Sequence, residues 1–131
     1  MRDRCFQWSR TTFLPEVRCA TLVLEQLDQR VSTCGLVVDG PQGTPHPRYP
    51  GFIYPYDYGY LKDTLAMDQG GIDGWLGSLP ERQVSGVICT VDLTQKDAAT
   101  KILIGCTPAE AEHILQTHNS GPQSAILILR A

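Results

Sequence analysis

From Pro15 onward the apolar positions fall on a helical period. Val17, Ala20, Thr21, Leu24, Leu27, Asp28 and Val31 stripe one face of a helix that opens at a favoured proline start. Ser32-Thr33 closes it, and Cys34–Val38 reads as a short, largely buried strand. Gly40–Pro50 holds Pro41, Gly43, Pro45, Pro47 and Pro50, a density that leaves only a long, stiffened loop. Phe52–Tyr60 is extended and aromatic, and Leu61–Gly71 is a loop ending in the turn Gln69-Gly70-Gly71. Ile72–Leu76 alternates as a strand, Gln83–Leu93 is the longest strand, and a polar turn over Asp92–Thr100 precedes a strand over Lys101–Cys106. Thr107-Pro108-Ala109-Glu110 is a helix start with a cap, a first-turn proline and a capping-box acid. That helix runs to His118, stops at Asn119-Ser120-Gly121, and a terminal strand covers Ser124–Leu129. Residues 1–14 show no period and read as an irregular lead-in to a single domain over 15–131. Short strands with two helices predict an α+β fold, a small β-barrel flanked by helices. A mixed open α+β sheet is the alternative that the pattern leaves open.

Composition narrows the partners. With 131 residues, 42% hydrophobic and 19% charged, the chain is an ordinary globular length of one domain. Its net charge is −3 and no Lys/Arg cluster occurs, so neither a nucleic-acid backbone nor an anionic membrane surface finds the cations it needs. An OB-like nucleic-acid binder fails on the same ground. Cys5, Cys19, Cys34, Cys89 and Cys106 are odd in number and widely spaced, as expected of free thiols in a reducing cytoplasm. Met1–Pro15 carries Arg, Asp and Trp where a signal peptide would be apolar, and the apolar stretches are too short to span a bilayer. The expected location is cytoplasmic.

Candidate chemistry concentrates in Tyr54-Pro55-Tyr56-Asp57-Tyr58-Gly59-Tyr60 and Asp68-Gln69-Gly70-Gly71-Ile72-Asp73. Phenols offer hydroxyl donors to phosphate oxygens while their rings exclude water. Asp68 and Asp73 flank a glycine bend that lets two carboxylates converge on one hard cation, and magnesium needs no more than one or two. The same residues also serve as turn formers and strand packing. Trp75, two residues from Asp73, shares its strand face and is either a pocket wall or core, with core the better reading. His46, His113 and His118 do not fall at zinc-ligand spacing.

The stretch Phe52–Gly77, FIYPYDYGYLKDTLAMDQGGIDGWLG, resembles the family I (soluble) inorganic pyrophosphatases. It follows that family's YPxxYGYIxxT segment and the outer acids of its DxDPxD signature. It is closest to a short, divergent branch with a PxGxxHPxYP loop, here Pro41–Pro50. The resemblance implies a five-stranded OB-like barrel, hydrolysis of inorganic pyrophosphate, Mg²⁺ (or Mn²⁺) as cofactor, and a homo-oligomer. By position it implies that Tyr58 and Lys101 contact phosphate and that Asp68 and Asp73 bind metal. Asp97 stands in for an acid preceding the lysine, and Asp39 for the acid opening the same side of the pocket. Tyr54 joins the substrate-binding phenols, and His46 and Arg48 occupy the place of the family's loop cations.

The departures bear on activity. The central signature acid, which activates water in the family, is Gly70; the following proline is Gly71; the acid two residues before the lysine is Ala99. The C-terminal Tyr-Lys pair is absent, with His118-Asn119 in that region. Loss of a general base costs about 10²–10⁴ in rate. Two functions therefore stay open: a magnesium-dependent diphosphatase of reduced power, and a non-catalytic phosphate- or pyrophosphate-binding module.

Overall fold

The computed structural model describes residues 13–66 and 70–130, with side chains from residue 22 onward. Helix α1 spans Phe13–Cys34, so it begins two residues before the expected proline. Leu24 and Val31 are buried, with Leu27 packed beside them; Val17, Ala20 and Thr21 lie outside the described side chains. Gly35 ends the helix with φ +76°, the left-handed conformation a residue with Cβ rarely adopts, and its N–H bonds the Val31 carbonyl.

Six strands follow: β1 Leu36–Gly40, β2 Asp57–Leu61, β3 Asp73–Leu76, β4 Val84–Asp92, β5 Asp97–Ile104 and β6 Gln123–Leu129. Helix α2, Pro108–His118, lies between β5 and β6 in sequence. Its cap is the capping box that Thr107 and Glu110 predict, with both reciprocal bonds made. The sheet order is β1-β2-β3-β5-β4-β6, antiparallel throughout except for the β3–β5 pair. The fold is α+β, with six strands where five were expected. Among the described residues no pairing joins β1 to β6, so the sheet is open. β5 starts at Asp97 rather than Lys101, because Asp92 accepts from the backbone N–H groups of Thr94 and Gln95 and confines the turn to a few residues.

Alternation sorts the sheet into two faces. One carries Leu61, Val84, Val87, Ile102 and Ile104 against α1. The other carries Trp75, Ile88 and Leu103 against Ala111 and Ile114 of α2, with Tyr54 closing over it. Asp28, an anomaly in the apolar stripe, explains itself in this packing. Its Oδ1 accepts from the Val84 N–H at 2.7 Å and its Oδ2 from Arg130 at 2.7 Å, while Arg130 Nε donates to the Val84 carbonyl. The carboxylate fastens α1 to the sheet. No helix among the described residues is long and apolar enough to cross a membrane.

Candidate functional site

The aromatic face of the sheet holds the site. In the antiparallel β2–β3 pair Tyr58 faces Trp75 and Tyr60 faces Asp73, so these four side chains share one side. The parallel β3–β5 register, Gly74 beside Ile102, brings Lys101 next to Asp73 on the same side. Lys101 Nζ donates to Tyr58 Oη at 2.8 Å and to Asp73 Oδ2 at 3.3 Å. The lysine side chain is 14% exposed and the aspartate 37%, so one partner is nearly enclosed and the other opens to solvent. Three residues from three strands thus meet at one point, although 43 and 28 positions separate the lysine from its partners.

Backbone approach makes room for the phenols. A Cβ at Gly59 would run into the Val37 carbonyl on β1. At Gly40 it would stand 2.6 Å from the Tyr54 ring, so glycine alone lets Tyr54 lie over the end of β1. Tyr54 stacks on Tyr58 with centroids 5.7 Å apart, and Tyr58 meets the Trp75 ring edge-on at 4.7 Å. Burial pushes the Tyr58 phenol far above its ordinary range, and the Asp73 charge adds to this. Tyr54 is raised by the same two causes in a different setting: burial first, then the charges of Asp39 and Asp73. Both phenols stay protonated at any ordinary pH and remain hydrogen-bond donors.

The other expected residues are arranged around this point at different distances. Asp39 is exposed on β1, close enough to act electrically on Tyr54 and Tyr58. Among the described residues, His46 reaches the site through Tyr54, ring to ring at 5.8 Å. Its Nδ1 accepts from the backbone N–H groups of Arg48 and Tyr49, so the ring pins its own loop; Arg48 is exposed. That loop is a small hairpin, with Gly43 and Tyr54 N–H groups bonded across to Tyr54 and Thr44 carbonyls. Asp97 pairs with Asp92 at the far end of the β4–β5 hairpin, four residues from Lys101 on the same face. At the usual strand rise that is about 13 Å away, and Ala99 stands between them. Asp68 lies outside the described residues. Gly71 has a steric reason for replacing an imino acid: its Cβ would meet Tyr60 at 2.7 Å and the Leu61 carbonyl at 2.9 Å.

The Trp75–His118 pair is the part that sequence reasoning missed. Trp75 is fully buried, as expected of core, yet its Nε1 donates to His118 Nε2 at 3.0 Å. The opposite ring nitrogen, Nδ1, stands 2.8 Å from Gln123 Oε1 on β6. A second cross-link joins Tyr56 Oη and His113 Nδ1 at 3.0 Å. The only signal in the sequence was a histidine at the helix end, without indication of a partner 43 positions away.

No family model matches the sequence, and no curated protein is similar to it. Solved structures are. The inorganic pyrophosphatase of Thermus thermophilus aligns at a TM-score of 0.52 with 17% identity, over 72% of this chain and 81% of that one. Those of Coxiella burnetii and Helicobacter pylori align at 0.51 with 12% and 11% identity, also over 72% of this chain, covering 82% and 81% of theirs. The fold is pyrophosphatase-like. At these identities the likeness is one of backbone architecture.

Among the described residues no group of three or more Asp, Glu, His or Cys side chains gathers into a metal cage. Asp73 and Asp39, however, both act on the same phenol from exposed or half-exposed positions. Two carboxylates fit an ion that takes its remaining ligands from water and phosphate oxygens. A pair of this kind would suit magnesium shared with a substrate rather than a preassembled cluster.

Proposed function

We propose that this chain binds inorganic pyrophosphate, or a closely related small phosphoanhydride, together with magnesium, and hydrolyses it slowly. The observation that carries the reading is the convergence of Lys101, Tyr58 and Asp73 within 3.3 Å on a pyrophosphatase-like sheet. Lys101 and the Tyr58 hydroxyl supply a cation and a neutral donor to phosphate oxygens, and Tyr54 keeps water off one side. Asp73 would hold the metal, with Asp39 a second carboxylate and Asp68 a further candidate from the sequence, whereas Asp97, about 13 Å along β5, is too distant to join them. Tyr54, His46 and Arg48 are the proposed outer contacts to substrate. When bound, magnesium supplies charge neutralisation on the phosphoanhydride and activation of a water. The chain's own residues orient the substrate: the lysine exchanges its Asp73 partner for phosphate, and the phenol, unable to ionise, holds one donor in place.

A second reading, pyrophosphate binding without turnover, draws support from the same pair. With Gly70 and Ala99 in place of acids, Asp73 is, among the described residues, the one carboxylate bonded to the lysine. Phosphate release with Mg²⁺ or Mn²⁺, followed beside calorimetric binding of pyrophosphate, separates the two. Turnover above a buffer blank that disappears in Asp73→Ala supports hydrolysis. Binding without turnover establishes the module reading. Absence of both, with Lys101→Met indistinguishable from the native chain, overturns the proposal.

A further inference from the structure

Beneath the proposed site runs a buried polar connection that phosphate chemistry does not require. Tyr58 rests edge-on against Trp75, Trp75 Nε1 donates to His118 Nε2, and His118 Nδ1 meets Gln123. The direction of each bond follows from inventory. Indole nitrogen only donates, so Nε2 must be the acceptor and Nδ1 must carry the proton, given to the amide oxygen of Gln123. His118 is 8% exposed and Trp75 1%. An imidazole placed there costs desolvation that an aliphatic side chain would avoid, while the apolar contacts of Ile114 and Ala111 already hold α2 on this face.

What the histidine adds is orientation. Without an acceptor at Nε2, the indole could rotate or tilt and retain nearly the same apolar burial. With the acceptor, the ring plane is set, and the Tyr58 ring has Trp75 on one side and the stacked Tyr54 on another. Tyr58 Oη in turn is the 2.8 Å partner of Lys101 Nζ. We propose that His118 is a positioning residue for the Lys101–Tyr58–Asp73 site, acting through the Trp75 indole, with Gln123 selecting its tautomer.

Two further facts agree with this role. Burial lowers the His118 pKa and outweighs the Gln123 bond that raises it, the Lys101 charge adding to the lowering, so the neutral ring needed as acceptor is the form present at neutral pH. Its hydrogen-bonded neighbours from the sheet are Trp75 on β3 and Gln123 on β6, and the charge of Lys101 on β5 acts on it through space. None is a carboxylate that would favour the imidazolium.

The inference rests on the pyrophosphate reading for its functional consequence, although its structural content can be read separately. His118→Phe keeps the ring volume and removes both bonds; His118→Gln restores an acceptor near the Nε2 position; Gln123→Ala leaves the buried core intact. The expected result for His118→Phe is a loss of about tenfold in magnesium–pyrophosphate affinity, the size of one buried neutral hydrogen bond. His118→Gln should recover most of it, and Gln123→Ala should fall between. NMR resonances of the Trp75 indole N–H and the Lys101 side chain should move together in His118→Phe. Native-like affinity and an unchanged Lys101 resonance in folded His118→Phe would overturn the inference, as would failure of His118→Gln to recover anything. Should the native chain bind no pyrophosphate, the function proposed above fails, and the coupled or uncoupled Trp75 and Lys101 shifts still decide this one. If His118→Phe does not fold, Gln123→Ala carries the same comparison.

Discussion

At the scale of single residues, the site depends on atoms that are missing as much as on those present. Gly59 and Gly40 allow β1 and β2 to carry the Tyr54 and Tyr58 rings without interference. Gly59→Ala is expected to lower stability by about 3 kcal/mol, the upper end for overpacking, since its new methyl meets backbone that has no rotamer to yield. Urea denaturation of the variant measures it, and a loss under about 0.5 kcal/mol would refute the close approach. The tyrosines stood out in the sequence through the YPxxYGYIxxT resemblance, since phenols beside a glycine bend also serve as plain strand packing. Which tyrosine meets the lysine was not legible. Period-two alternation places Tyr54, Tyr56, Tyr58 and Tyr60 on equal terms, and only pairing to β3 and β5 distinguishes Tyr58.

Between elements, two polar side chains do work that apolar patterning cannot describe. Asp28 and Arg130 tie the middle of α1 to the ends of β4 and β6, at 28% and 20% side-chain exposure. Asp28→Ala strands the Val84 N–H and removes the carboxylate partner of Arg130, so a loss of about 1–3 kcal/mol is expected by thermal or urea melting. Asn119 acts on the sheet edge. Its side-chain amide accepts from the Ala125 N–H at 2.8 Å and donates to the Ala125 carbonyl at 3.2 Å, mimicking one step of a neighbouring strand. β6 contains no charged residue and exposes Ile126, Ile128 and Leu129, the composition of an edge prone to pairing with another chain. Asn119→Ala is expected to increase self-association, detected as a larger mass by light scattering as concentration rises; an unchanged mass would show that the amide does not guard the edge. The helices were readable because caps and periods are local. The strand order was not, since β5 enters between β3 and β4 by long-range pairing.

For the whole molecule, pH sums the buried titratable groups. His118 is held below its ordinary 6.5 by burial, so the unfolded chain takes up a proton that the folded chain resists, and stability falls as pH drops from about 6.5. Glu110 is raised by burial, but its bonds to the Thr107 and Ser78 N–H groups outweigh this and leave it lowered; its share of stability is lost as pH falls below about 4.5. On the alkaline side, burial raises Cys106 from 9.0 to about 12, and Tyr58 is raised further, so the unfolded chain releases protons that the folded chain keeps. Stability then declines above about pH 9. Melting temperature against pH should therefore be flat between these limits, and His118→Gln should remove the first acid step alone. Persistence of that step in the variant would assign it elsewhere. The α+β class and both helices were determined by the sequence itself, because caps, hydrophobic period and glycine bends act over a few neighbours. The meeting of Lys101 with Tyr58 and Asp73, the placing of Asp97 at the far end of the β4–β5 hairpin and the Trp75–His118 bond were decided only in three dimensions. Strand register fixes which side chains share a face, and register is a property of pairs of strands rather than of either strand alone.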